Sequence, residues 1–189
     1  MSKRAKSKER KINPTYWIFC EGKTEEAYVT FLRSKYRLPV EIIPKVSGSN
    51  INEKFIIKSK QGKTTAPKDK NFLLYDGDIP ETIDKLKKIK NATLLVSNPC
   101  IELWFLYHYR NQKAFITTDQ CIQDLTKIGN FDYKKGVLND KLRFKLDQNC
   151  PKACERASKG TFLTNPSSNV QVLIEELEKV RKEKLTSSP

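Results

Sequence analysis

The sequence predicts an α/β fold, with a mostly parallel sheet flanked by helices and a helical C-terminal part. Three observations carry that reading. Short apolar runs of strand length alternate with helical segments over roughly the first 110 residues, and each run stops at a turn rich in Gly, Asp, Asn or Pro. Beyond that point the apolar spacing is helical, as in Val170, Leu173, Ile174, Leu177 and Val180.

At 189 residues the chain has the size of one ordinary domain that needs no disulfide to bury a core. Residues 13–189 are expected to form it, as an α/β core over 13–110 and a helical extension over 111–189, preceded by a flexible basic tail over 1–12. The core opens with TYWIFC at 15–20, a β-branched and aromatic run that breaks off at Glu21-Gly22. A helix should start near Thr24, with Ala27, Tyr28, Phe31 and Leu32 on one face and Glu25 and Glu26 in its first turn, where the dipole favours anions. Residues 40–46 (VEIIPKV) read as a second strand, at a sheet edge because of Pro44.

A helix is expected over 51–58, then a polar stretch over 60–70 that reads as mobile. NFLLY at 71–75 is a buried parallel strand that stops at Asp76-Gly77-Asp78. Pro80 opens a helix to about residue 90. ATLLV at 92–96 repeats the strand pattern, and Ser97-Asn98-Pro99 reads as a cap followed by Pro at the first helical position of a helix over 100–109. Further helices are expected over 119–127, 133–146, 151–158 and 168–184.

Composition narrows the function classes. A net charge of +14 repels itself in a compact fold unless a polyanion neutralises it, which makes nucleic acid the first expected partner. No apolar run approaches the ~20 residues that span a bilayer, and the basic N-terminus lacks the apolar stretch of a secretory signal, so the expected setting is cytoplasmic with no membrane partner. Five cysteines without C-x-x-C units fit reduced thiols. Cys150 and Cys154 lie one helical turn apart, which suits either a metal or redox pair or, more commonly, buried thiols.

Ligands of open α/β sheets gather beyond the carboxyl ends of the strands. Four acids fall there: Glu21 after the first strand, Asp76 and Asp78 after the third, and Glu102 in the first turn of the helix after the fourth. Two residues apart in an extended segment, Asp76 and Asp78 can point to one side. Each acid alone reads more readily as a helix cap or a loop solubiliser than as a ligand. Together they would repel one another unless a divalent cation sat among them, and Mg²⁺, with Mn²⁺ as a substitute, takes such oxygen ligands. An acidic centre in a basic chain is the pattern expected of an enzyme that cuts a polyanion.

The segments WIFCEGKTEEAYVTFL, LLYDGDIP, LLVSNPCIELWFLYHY and NPSSNVQVLIEEL, in that order, resemble the RloB family, whose members look like stand-alone Toprim proteins of bacterial anti-phage loci. The resemblance implies a Toprim-like sheet. It implies that Glu21 binds metal or acts as general acid or base, that Asp76 and Asp78 bind metal, and that Glu102 lies near a second metal position. It implies a Mg²⁺-dependent nuclease acting in abortive infection, with DNA against RNA left open. Where family members commonly carry an aromatic, this chain has Ile101, a matter of packing.

Three further residues are weighed with these. Glu25 could reach the site or serve only as a helix-start anion, Lys23 could touch a phosphate or face solvent, and His108 could act on substrate or simply pack. Gly-Lys-Thr at 22–24 and 62–64 mimics the end of a phosphate-binding loop, but Trp17 and Ile57 stand where that loop needs its first glycine. An ATPase, if one is needed, would be a partner. The alternative to the nuclease is a non-catalytic basic nucleic-acid-binding module; a small-molecule phosphohydrolase would not need so much positive charge.

Overall fold

The computed structural model describes residues 13–186, and the tail expected over 1–12 lies outside them. Strands β1 (Thr15–Cys20), β2 (Glu41–Val46), β3 (Lys70–Asp76) and β4 (Thr93–Asn98) form a parallel sheet in the order β2-β1-β3-β4. Pro44 does lie in the edge strand, where its missing N–H costs no ladder bond. The β1 side chains alternate between two cores, because a strand presents successive residues to opposite faces. Tyr16, Ile18 and Cys20 enter the larger core; Trp17 and Phe19 enter the smaller one.

Helices α2 (Glu53–Lys60) and α3 (Pro80–Leu86) cover the smaller core, to which they contribute Ile56, Ile83 and Leu86. The larger core takes α1 (Lys23–Tyr36), α4 (Ile101–Tyr107), α5 (Thr118–Gly129), α6 (Asp140–Gln148), α7 (Cys150–Ala157) and α8 (Gln171–Thr186). Every residue of α4 is buried, Glu102 included, and its other six side chains are apolar or aromatic on all sides, as a helix enclosed by the core requires. A fully buried Leu or Phe contributes roughly 1.5–3 kcal/mol. Leu103, Trp104, Phe105 and Leu106, none of them exposed, make α4 the central post of the fold.

The structure corrects several boundaries. The helical extension also supplies a strand, β5 (Ser167–Ser168), antiparallel to β4, so α8 begins at Gln171 and not at Ser168. Two serines carry no apolar run. They join the sheet because Ser168 meets Ser97 hydroxyl to hydroxyl at 2.9 Å, and because Asn169 accepts from Val96 N (2.6 Å) and donates to Leu94 O (2.9 Å), so an amide side chain continues the ladder. The Asn98-Pro99 peptide is cis, Cys100 is the N-cap, and α4 starts at Ile101 beyond the proline. Residues 133–139, expected as helix, are a loop: Gly136 has φ +80, and α6 begins only after Asn139 accepts from Leu142 N. The stretch expected to be mobile over 60–70 is anchored at its end by Asp69, which accepts from Thr15 N and Ala66 N.

Candidate functional site

The parallel strands end together, and their carboxyl ends bring three loops to one place. Glu21 leaves β1 with its N–H bonded to Leu74 O of β3, and its Oε2 accepts from Asp76 N at 2.9 Å. Asp76 closes β3, and its Oδ1 accepts from Ile101 N at 2.8 Å, at the start of α4. Glu102, one residue on, is 1% exposed, and its Oε1 accepts from the Tyr133 hydroxyl at 2.8 Å. Thus β1, β3 and the α4 start are tied in sequence through carboxylates. Each of these bonds occupies one carboxylate oxygen and leaves the second.

Gly77 is required where β3 leaves the sheet: a Cβ there would sit 2.7 Å from Asn98 Cβ and 2.8 Å from Val96 Cγ1. Because β3 ends at Asp76, the alternation expected to align Asp78 with it does not extend so far, and Asp78 stands exposed on the rim. It is still near enough to Glu21 to disfavour that carboxylate. Glu25 is 4% exposed; it accepts from Gly22 N at 2.8 Å, capping α1, and it also belongs to the cluster.

The electrostatics express the crowding. Burial, then the charges of Glu25, Glu21 and Glu102, push Asp76 up to about 9. Glu21 is raised by burial and by Asp78 against the favourable Asp76 N–H, and Glu25 by burial and then by Glu102 and Glu21. Glu102 Oε2 is buried and has no hydrogen-bond partner among the described residues.

One cation faces these acids, and the sequence pattern gave no sign of it. Partial burial works against the charge of Lys135, but Glu102 and Asp76, then Cys100 and Glu25, outweigh it and raise its pKa. Its loop is held over the start of α1 by Gly136 N, which donates to Thr24 Oγ1 at 2.9 Å. A Cβ on Gly136 would also meet Lys23 Cβ at 3.2 Å. Tyr133, on the same loop, was equally unforeseen. The aromatic and basic FDYKKG segment is the only local signal, and it does not say which element the loop covers.

The other weighed residues have partners outside the cluster. Lys23 is exposed and pairs with Glu26 at 2.9 Å. His108 is fully buried past the far end of α4, where its Nδ1 meets Trp104 O at 2.9 Å and where it helps to hold the Cys150 thiol below its usual range.

The donor chemistry suits a hard divalent cation, since the cluster offers carboxylate oxygens and one orphaned buried oxygen, Glu102 Oε2. Among the described residues, however, no three His, Cys, Asp or Glu side chains already stand in a metal-holding arrangement. Mg²⁺ ordinarily takes only one or two protein carboxylates and completes its shell with water and phosphate, so the set still fits.

Fold and site together define an α/β protein with a partly buried, mutually repelling acid cluster at the carboxyl ends of a parallel sheet. The family model described as RloB-like protein matches residues 16–177, and the chain belongs to that family. No curated protein and no solved structure matches it. Among the described residues no helix is long and apolar enough to cross a membrane.

Proposed function

We propose that the chain is a Mg²⁺-dependent, Toprim-type endonuclease that hydrolyses nucleic-acid phosphodiesters, in cytoplasmic defence against phage. The observation that carries this reading is Asp76, half-buried beside Glu21, Glu25 and Glu102 and pushed up to about 9 in a chain of net charge +14. A cluster of this kind destabilises the apo fold, and perturbed carboxylates of this kind gather at functional sites. Glu21, Asp76 and Glu102, with Asp78 at the rim, would hold the cation. When bound, it supplies Lewis-acid activation of water and of the phosphoryl oxygen.

The chain's own groups do the rest. The Asp76 N–H and Ile101 N–H fix the orientation of Glu21 and Asp76, and Tyr133 fixes Glu102. Lys135 presents a positive charge to an incoming phosphate and offsets part of the carboxylate repulsion. The basic surface gathers the polyanion. Any nucleotide-driven step would fall to a separate ATPase partner.

The test is incubation of the protein with plasmid, single-stranded DNA and tRNA in Mg²⁺, Mn²⁺ or EDTA, beside Asp76→Ala. Cleavage that needs metal and disappears in the variant is the expected result. That no three described side chains stand ready as metal ligands favours a second reading, a non-catalytic basic nucleic-acid-binding module. Retarded migration without cleavage, unchanged in Asp76→Ala, would establish that module and overturn the nuclease.

A further inference from the structure

We propose that Cys150 and Cys154 form a hydroperoxide-reactive thiol pair, with Cys150 as the attacking thiol, His108 as its proton acceptor and Cys154 as the resolving thiol. The site is separate from the acid cluster and needs nothing from the nuclease reading. Cys150 is the first residue of α7, where the N–H groups of a helix start favour a thiolate. Cys154 follows one turn later on the same side. Both line a cleft of about 710 Å³ between the end of α1, α6, α7 and α8, together with Lys35, Asp147 and Glu178. Cys150 is 7% exposed there, within reach of a small oxidant.

The second observation is the His108 ring behind Cys150. A carbonyl only accepts, so the 2.9 Å contact with Trp104 O makes Nδ1 the donor and leaves Nε2 as the acceptor of the neutral ring. That Nε2 is fully buried without a hydrogen-bond partner among the described residues, and His108 is near enough to Cys150 to act on its thiol. Asn149, next to Cys150, donates to the His108 carbonyl at 2.7 Å and fixes their relation. The Cys154 thiol, then His108 and Lys35, hold Cys150 below the usual thiol range despite its burial, and the same contact with Cys150 pushes Cys154 up. Among the described residues no three such groups make a metal site.

The chemistry balances with a hydroperoxide as the named oxidant. His108 takes the Cys150 proton, and the thiolate attacks the terminal oxygen of ROOH. The S–O bond forms as O–O breaks, and the leaving alkoxide takes the proton from His108 and departs as ROH. Cys150, oxidised by two electrons, is then a sulfenic acid. Cys154 attacks that sulfur; S–S forms, S–O breaks, and hydroxide leaves with the Cys154 proton as water. Residues four apart in a helix have Cα atoms about 6 Å apart, inside the range for a disulfide. Their Cβ atoms diverge further, so closure must open the first turn of α7, including the Ala153 N bond to Asn149 O.

The full chain, reduced and desalted, is treated near neutral pH with one equivalent of hydrogen peroxide, blocked with iodoacetamide, and mapped without reduction by trypsin and mass spectrometry. Residues 146–152 and 153–156 should appear as one disulfide-linked pair. Reaction at Cys150 should be at least about tenfold faster than at Cys20, Cys100 or Cys121. Cys154→Ser should stop at a sulfenic acid that dimedone traps on Cys150, and His108→Gln should slow that trapping about tenfold. First trapping at Cys154, or wild-type Cys150 reacting no faster than glutathione, would overturn the proposal without recourse to any variant's folding.

Discussion

The two ends of the same parallel sheet treat their acids in opposite ways. At the amino end Asp69 accepts from two backbone N–H groups, and Glu176 is paired with Lys70 and Lys179. Those lysines, Lys70 foremost, hold Glu176 below the usual carboxylate range. At the carboxyl end Glu21, Glu25 and Asp76 are all raised, because burial and one another's charge outweigh the N–H groups they share. One end uses acids to secure the fold; the other gathers acids that repel one another, a strain that protonation or a bound cation would relieve. The contrast divides the two sets of acids more sharply than sequence position does.

The strongest way to break that contrast is at Asp76. Asp76→Ala should lower metal-dependent cleavage by about 100-fold or more, read as initial rates with circular dichroism as the check on folding. If the variant cuts as well as the parent, the two ends do not differ in kind. Lys135→Ala should cost about tenfold, the equivalent of one lost charge-assisted contact to phosphate, with Lys135→Arg recovering part of it.

Stability against pH sharpens the comparison without any substrate. Asp76 in the unfolded chain ionises near 3.8, but in the fold it keeps its proton up to about 9. Between those values the folded state binds more protons, so stability is greatest below the lower value and falls as pH rises. Without divalent cation the protein should therefore melt at a lower temperature at pH 8 than at pH 5.5. Asp76→Asn should flatten that slope and gain at least about 1 kcal/mol at pH 8, and Mg²⁺ should raise the melting temperature of the parent more than that of the variant.

The smallest effect belongs to the amino end. Glu176→Gln, at a half-buried pair on the surface, should cost about 1 kcal/mol in urea unfolding and leave cleavage unchanged. Tyr133→Phe lies between these extremes, costing roughly 1–3 kcal/mol because both oxygens of a buried Glu102 are then unpaired.

Much of this was legible in the chain. Apolar runs ending in polar turns located β1 to β4, because a strand covered on both faces has no choice but to be apolar, and Pro44 marked the edge. Glu21 and Asp76 stood out because strand ends are where a parallel sheet exposes side chains to ligands. Other features depended on long-range partners. Ser167 and Ser168 become a strand only because Ser97 and the backbone of β4 await them. Lys135 and Tyr133 reach the acids across more than thirty residues of chain, through Gly136 and Thr24, and no periodicity records such a meeting. Strand alternation could not by itself place Asp78, because β3 ends at Asp76, and Asp78 acts on Glu21 from the exposed rim.

Helix α4 sets Glu102 near its start, and His108 follows its last turn. The two residues are six positions apart, about 9 Å along the axis. With every side chain between them buried, the helix has no compliant segment to absorb a change in phase. Inserting or deleting one residue within 103–107 would turn one end by about 100° against the other. The acid cluster and the thiol pair would lose their alignment together, which makes the length of α4 a fixed dimension of the protein.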